Sequence, residues 1–210
     1  MRTNEPLPNC KFYFREYNKD NQGIDKTDWV IKTTKDIFTG KTCIVFSVPG
    51  PFTPICSGFQ LPQYEKYYNE FKHEYGIDEI YCHSVADVYV FKAWFKEQGI
   101  KNVKMLPDGN GDFARNLGMY VKKEVVGMGK RSWRHAFITT PSLQIERMFA
   151  EPHIEDNLDH DPYEESSPQN LLEYLRRKKS GEDLKLEWLY PNNITKPGDK
   201  TRTLGLKEND

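Results

Sequence analysis

The run Cys43-Ile44-Val45-Phe46, continued by Ser47 and Val48, carries no charge and stops at Pro49-Gly50-Pro51-Phe52-Thr53-Pro54. A short apolar run bounded by proline and glycine reads as a buried strand that ends in a forced turn. Leu61, Tyr64, Tyr68 and Phe71 then recur at three and four residues, which predicts an amphipathic helix over 57–75. Cys56 falls at or near the first turn of that helix, with the hydroxyl of Thr53 three residues before it. A helix N-terminus presents unpaired N–H groups and the positive end of the peptide dipoles, and both favour an anion. For cysteine the anion is the thiolate, which is the reactive form. The strand, turn and helix therefore make a candidate nucleophile site.

The rest of the chain narrows the class. A length of 210 residues suits one domain of ordinary size with an appendage. Lys+Arg 30 against Asp+Glu 31 leaves a net charge of −1, which asks for neither nucleic acid nor an anionic membrane. Twelve Phe, twelve Tyr and four Trp favour a packed core over disorder. No apolar run is long enough to cross a bilayer, and the first residues lack the apolar stretch of a secretion signal, so a cytoplasmic protein is expected. Cys10, Cys43, Cys56 and Cys82 include no C-x-x-C pair, which argues against a zinc ribbon and against a dithiol oxidoreductase.

Strand and helix signals alternate along most of the length. Lys11–Arg15 reads as an edge strand, Trp29–Lys32 as a second strand, and Thr34–Phe38 as a short helix closed at Gly40. Gly76 should end the helix after Cys56, and Ile77–Val85 should be a strand carrying Cys82. Asp87 should cap a helix bearing Val90, Phe91, Trp94 and Phe95. Val103–Leu106 reads as a strand, Phe113–Leu117 as a helix, and Gly127-Met128-Gly129-Lys130 as a flexible turn. His135–Thr139 and Ile145–Phe149 read as a hairpin turning at Pro141-Ser142, and Ser167-Pro168 as a helix start. This alternation means an α/β domain with a central mixed sheet flanked by helices. Residues 151–165 read as a solvated acidic loop. Within it His153, Asp156, Asp159, His160 and Asp161 match no standard metal-ligand spacing. The domain is expected over 1–176. A polar tail follows over 177–210, expected to be partly ordered or disordered, and Leu184, Leu186, Trp188, Leu189 and Tyr190 could dock on the domain. Arg176–Lys179 suits the exposed C-terminal end of a helix.

Pro49-x-x-x-Thr53-x-x-Cys56 resembles the P-x-x-x-[TS]-x-x-C motif of the peroxiredoxins. The longer string from Phe46 to Ser57 is similar to F-S-x-P-G-A-F-T-P-T-C-S of the peroxiredoxin 5, or type II, subfamily. Leu61-Pro62, Gly76–Ile80, Ser84-Val85, Ala93-Trp94, Pro107–Gly111 and Gly129–Arg134 follow in that family's order. Met148–Pro152, Asp161–Glu164 and Leu172–Leu175 resemble the end of the peroxiredoxin part of bacterial peroxiredoxin–glutaredoxin hybrid proteins. The resemblance runs over about residues 10–176. Gln60 departs from it where many relatives have histidine, as do Pro51 for alanine, Ala86 for asparagine and Val88 for proline.

The resemblance implies a thioredoxin-like fold and reduction of hydrogen peroxide and alkyl hydroperoxides. No cofactor and no metal is implied. Cys56 would be the peroxidatic thiol and pass through a sulfenic acid. Arg134 would supply fixed charge and donors, Thr53 would orient the peroxide, and Pro49 would cover the thiolate from water. Cys82 sits where type II relatives sometimes carry a resolving cysteine, and a plain core role is the alternative. With no C-x-x-C in the chain, glutaredoxin with glutathione acting in trans is the expected reductant, and thioredoxin the second choice. A homodimer is implied by the family. The competing reading is a non-enzymatic redox sensor or partner-binding protein on the same fold.

Overall fold

Every residue from Cys43 to Ser47 is buried, and the alternation of strand side chains sends Ile44 and Phe46 to one face and Cys43 and Val45 to the other. In the computed structural model, which describes residues 5–158 and 160–182, this segment is the middle strand of the main sheet. In chain order the strands are β1 (Lys11–Tyr17), β2 (Thr27–Thr33), β3 (Cys43–Ser47), β4 (Glu79–Ser84), β5 (Lys104–Pro107), β6 (Tyr120–Lys123), β7 (Gly129–Ser132), β8 (His135–Thr139) and β9 (Ile145–Ala150). The helices are α1 (Thr34–Phe38), α2 (Leu61–Lys66), α3 (Tyr68–Tyr75), α4 (Val88–Glu97), α5 (Asp112–Asn116) and α6 (Pro168–Ser180).

The sheet order is β5-β4-β3-β8-β9. β3 runs parallel to β4, β4 parallel to β5, and β8 antiparallel to both β3 and β9, so the sheet is mixed as expected. One face packs Ile44 and Phe46 against Leu61, Tyr64, Phe71, Phe91 and Trp94. The other packs Val45 against Phe12, Phe38, Phe113, Trp133 and Phe137. Phe46 stacks on Tyr64 at 3.9 Å between ring centroids, which ties the central strand to the helix after the turn. The β1–β2 and β6–β7 hairpins lie outside this sheet. Gly76 closes α3 at φ 67°, the left-handed conformation that suits glycine at a helix end. Asp87 caps α4 through the N–H groups of Tyr89 and Val90, and Ser167 caps α6 through that of Asn170. Among the described residues no helix is long and apolar enough to cross a membrane.

Three expectations change. The single helix over 57–75 is instead a π-helical turn, Cys56–Gln60, followed by α2 and α3 with a break at Tyr67. Pro62 has no N–H to donate and its ring crowds the carbonyl four residues back. The backbone widens there, and the Leu61 N–H reaches Cys56 O, five residues away. The flexible turn expected at Gly127–Lys130 is shorter, because β7 begins at Gly129 and pairs with β6 from Lys123↔Gly129 to Tyr120↔Ser132. The sequence signal for β6 is masked by a buried lysine. Lys123 donates to Leu158 O at 2.8 Å and lies over the Trp133 ring. The loop after β9 is anchored rather than simply solvated. The Glu151 carboxylate accepts from the N–H groups of Glu164, Glu165 and Ser166 and from the Ser166 hydroxyl, and Asp156 accepts from Lys122 N. α6 continues across position 176 to Ser180. Asp159 and the tail from 183 to 210 lie outside the described residues.

Candidate active site

Where β3 ends, Pro49 and Gly50 are still buried, and the chain reverses through Phe52 at φ 66°. A bulky residue in the left-handed region is strained and persists only where its surroundings hold it. Here the turn is closed by Thr53, whose N–H and Oγ1 both donate to Gly50 O, the hydroxyl at 2.9 Å. The Ser57 N–H then reaches Thr53 O at 2.9 Å, so the helix starts within this turn. Cys56 enters as the first residue of the π-helical turn, 0% exposed.

Arg134 approaches from the two-residue link between β7 and β8, far along the chain, and is 1% exposed. Its Nη1 lies 3.6 Å from Cys56 Sγ and also donates to Gln60 Oε1. Its Nη2 pairs with the Asp161 carboxylate, and its guanidinium sits 5.6 Å from the Tyr163 ring centroid. Gln60 is fully buried and donates through Nε2 to Ser47 O, so the last carbonyl of β3 positions the amide that positions the arginine. Tyr163 donates to Gln63 on α2 at 2.6 Å; burial pushes its hydroxyl well above the ordinary tyrosine range, against the pull of Arg134. Cys56, Thr53, Pro49 and Arg134 are thus gathered at one end of β3. The arrangement can hold a sulfur anion beside a fixed cation in a site closed to bulk water.

Cys82 lies on β4 opposite Phe46, 0% exposed. Burial pushes its thiol well above the ordinary cysteine value, and the charge of Cys56 adds to this. The four cysteines are free thiols and buried. Cys43 is pushed up to about 12 by burial and Cys10 is raised by the same cause, so neither is a ready nucleophile.

Sequence reading left three parts of this site unassigned. Gln60 stood out only as a departure from a family pattern. Asp161 was assigned to a solvated loop, although the string Asp161-Pro162-Tyr163-Glu164 was itself a matched segment. Beneath the turn, Ser47 Oγ bonds His83 Nδ1 at 2.9 Å and Ser132 Oγ at 2.7 Å, and His83 Nε2 bonds Asp108 at 3.2 Å. The two serines and the histidine are 0% exposed, so these four residues tie β3, β4, β7 and the turn after β5 together as a structural polar chain. No spacing rule brings positions 47, 83 and 108 together without the sheet.

Comparison with known proteins identifies the family. Residues 3–165 match the Redoxin family model. A peroxiredoxin from Rhizobium etli is 48% identical over 176 residues, which is 84% of this chain and 97% of that protein. A hybrid peroxiredoxin, hyPrx5, from Haemophilus influenzae is 44% identical over 147 residues, 70% of this chain and 58% of that protein. The crystal structure of a Plasmodium falciparum antioxidant protein, titled a 1-Cys peroxiredoxin, superposes with a TM-score of 0.77 at 36% identity, covering 84% of this chain and 99% of that one. The chain that sets a cysteine at the head of a helix, an arginine against its sulfur and a mixed sheet beneath them therefore belongs to the peroxiredoxins, thiol peroxidases of the thioredoxin-like fold.

Proposed function

We propose that this chain reduces hydrogen peroxide and alkyl hydroperoxides through Cys56, with glutathione and glutaredoxin restoring the thiol. The observation that carries the assignment to Cys56 is the 3.6 Å approach of Arg134 Nη1 to its sulfur. The thiolate attacks the terminal peroxide oxygen, the S–O bond forms as the O–O bond breaks, and the departing alkoxide or hydroxide takes a proton to leave as alcohol or water. Cys56 is oxidised to sulfenic acid and the peroxide is reduced. Thr53 Oγ1 has its proton engaged at Gly50 O, so its lone pairs face outward as acceptors for the peroxide O–H. This orients the O–O bond in line with the sulfur. Arg134 supplies donors to the thiolate and to charge building on the leaving oxygen. Pro49, buried beside the turn, keeps water from the thiolate.

Glutathione then condenses with the sulfenic acid, releasing water and leaving a mixed disulfide, which a second thiol reduces to thiolate and oxidised glutathione. A one-cysteine cycle is favoured by Cys82. It is fully buried, its thiol is held protonated, and it could meet Cys56 only if β4 opened. The likeness to a Plasmodium 1-Cys peroxiredoxin supports the same reading, and the likeness to the hybrid hyPrx5 supports glutaredoxin as the reductant. Homodimer formation is supported by exposed aromatics: Phe52 on the turn before Cys56, and Trp29 and Tyr89, whose rings meet edge-on at 6.0 Å. Steady-state peroxide consumption tests the whole reading. Cys56→Ser should abolish it, while Cys82→Ser should keep turnover with glutaredoxin and glutathione. Activity surviving in the first variant sinks the assignment; loss in the second, in a folded protein, makes Cys82 a resolving cysteine.

A further inference from the structure

Arg134 is one cation shared by two acidic groups. Nη1 faces Cys56 Sγ at 3.6 Å and Nη2 pairs with Asp161, whose side chain is 34% exposed. Asp161 is held there by its loop. Immediately after it, Tyr163 spans to Gln63 on α2 and lies against the guanidinium, and the Glu151 carboxylate clamps the backbone of residues 164–166. The other titratable groups facing the cluster do not compete for the cation. Burial keeps Cys82 on β4 and Tyr163 protonated, and the Glu151 carboxylate is occupied by three N–H groups and a hydroxyl. The remaining contact to the guanidinium, Gln60 on the π-helical turn, is neutral.

We propose that Asp161 is a positioning residue for the reactive thiol: its carboxylate fixes the Arg134 fork toward Cys56, and its negative charge offsets part of the guanidinium's pull on the sulfur. The inference rests on the reading that Cys56 and Arg134 carry the chemistry. The two effects have opposite consequences and separate by substitution. Asp161→Asn keeps an oxygen acceptor for Nη2 and removes the charge, so the thiolate gains from an uncompensated arginine. Asp161→Ala removes the anchor as well, so the fork loses its aim.

The test uses the full chain and two readouts. Alkylation of Cys56 by iodoacetamide is followed by mass spectrometry of its peptide from pH 5 to pH 9, and kcat/KM for hydrogen peroxide is measured at pH 7. Asp161→Asn should alkylate about threefold faster or more at the acid end of that range, with the profile displaced toward low pH. Asp161→Ala should lose about tenfold or more in kcat/KM while its circular dichroism matches the parent. An Asp161→Asn profile that superposes on the parent overturns the charge effect. A full kcat/KM in Asp161→Ala overturns the positioning effect. The alkylation result does not depend on whether Cys56 is peroxidatic; the kcat/KM result does, and that reading fails separately, if Cys56→Ser retains peroxidase activity.

Discussion

Arg134→Gln tests the centre of the site. The variant removes a cation 3.6 Å from the sulfur and leaves a polar side chain of shorter reach. At an effective dielectric of about 20, unit charges at that separation attract by about 5 kcal/mol, an upper limit before screening. Asp161 on the same guanidinium cancels part of this. The arginine also donates to the charge that builds on the departing oxygen, and losing one such donor commonly costs about 2.7–4 kcal/mol of transition-state stabilisation. The second-order rate of peroxide attack should then fall about a hundredfold or more. Trp94 donates to the hydroxyl of Ser57, next to Cys56, at 2.9 Å, so tryptophan fluorescence in a stopped-flow mixer should report oxidation of the site. Alkylation of Cys56 across pH gives the thiolate population directly. The variant also leaves the buried Gln60 oxygen without its donor, which costs about 1–3 kcal/mol and should lower the urea midpoint without unfolding the chain. A second-order rate within threefold of the parent, with an unmoved alkylation profile, would refute the electrostatic account.

Phe46→Ala removes a fully buried ring stacked on Tyr64 and should cost about 3–5 kcal/mol in urea unfolding; a loss below about 1 kcal/mol would contradict the central packing of β3. Burial, with the neighbouring His83, pulls His135 down to about 3, so the folded state stays unprotonated where the unfolded chain binds a proton. Stability from this residue is therefore present above about pH 6.5 and is lost as pH falls toward 3, by about 1.4 kcal/mol per unit. His135→Gln should flatten the urea-midpoint slope between pH 4 and 6 relative to the parent, and equal slopes would overturn the assignment. Cys82→Ser places a hydroxyl in an apolar cluster and should lower stability by about 1–3 kcal/mol in denaturant titration; a midpoint unchanged from the parent would contradict its burial among apolar side chains.

The legible parts of this protein were those written in short runs. β3, the turn after it, the Asp87 cap and the Ser167-Pro168 helix start each depend on neighbours within a few residues, and each stands near where its local chemistry placed it. β6 was missed because Lys123, polar by composition, is buried against groups distant in the chain, among them the Leu158 and His160 carbonyls and the Trp133 ring. The helix over 57–75 broke because its apolar period says nothing about hydrogen bonding, and Pro62 changes the bonding without changing the period.

At the site the same division holds. A thiol at a helix start with a hydroxyl one turn earlier follows from local spacing, because strand, proline turn and helix are consecutive in the chain. The arginine could be nominated only by likeness to relatives, since positions 56 and 134 are joined through the pairing of β3 with β8. The sharing of that arginine with Gln60 and Asp161 required coordinates. Gln60 is held from the Ser47 carbonyl, and the loop carrying Asp161 is held by the clamp at Glu151, through backbone N–H groups that no side-chain pattern records.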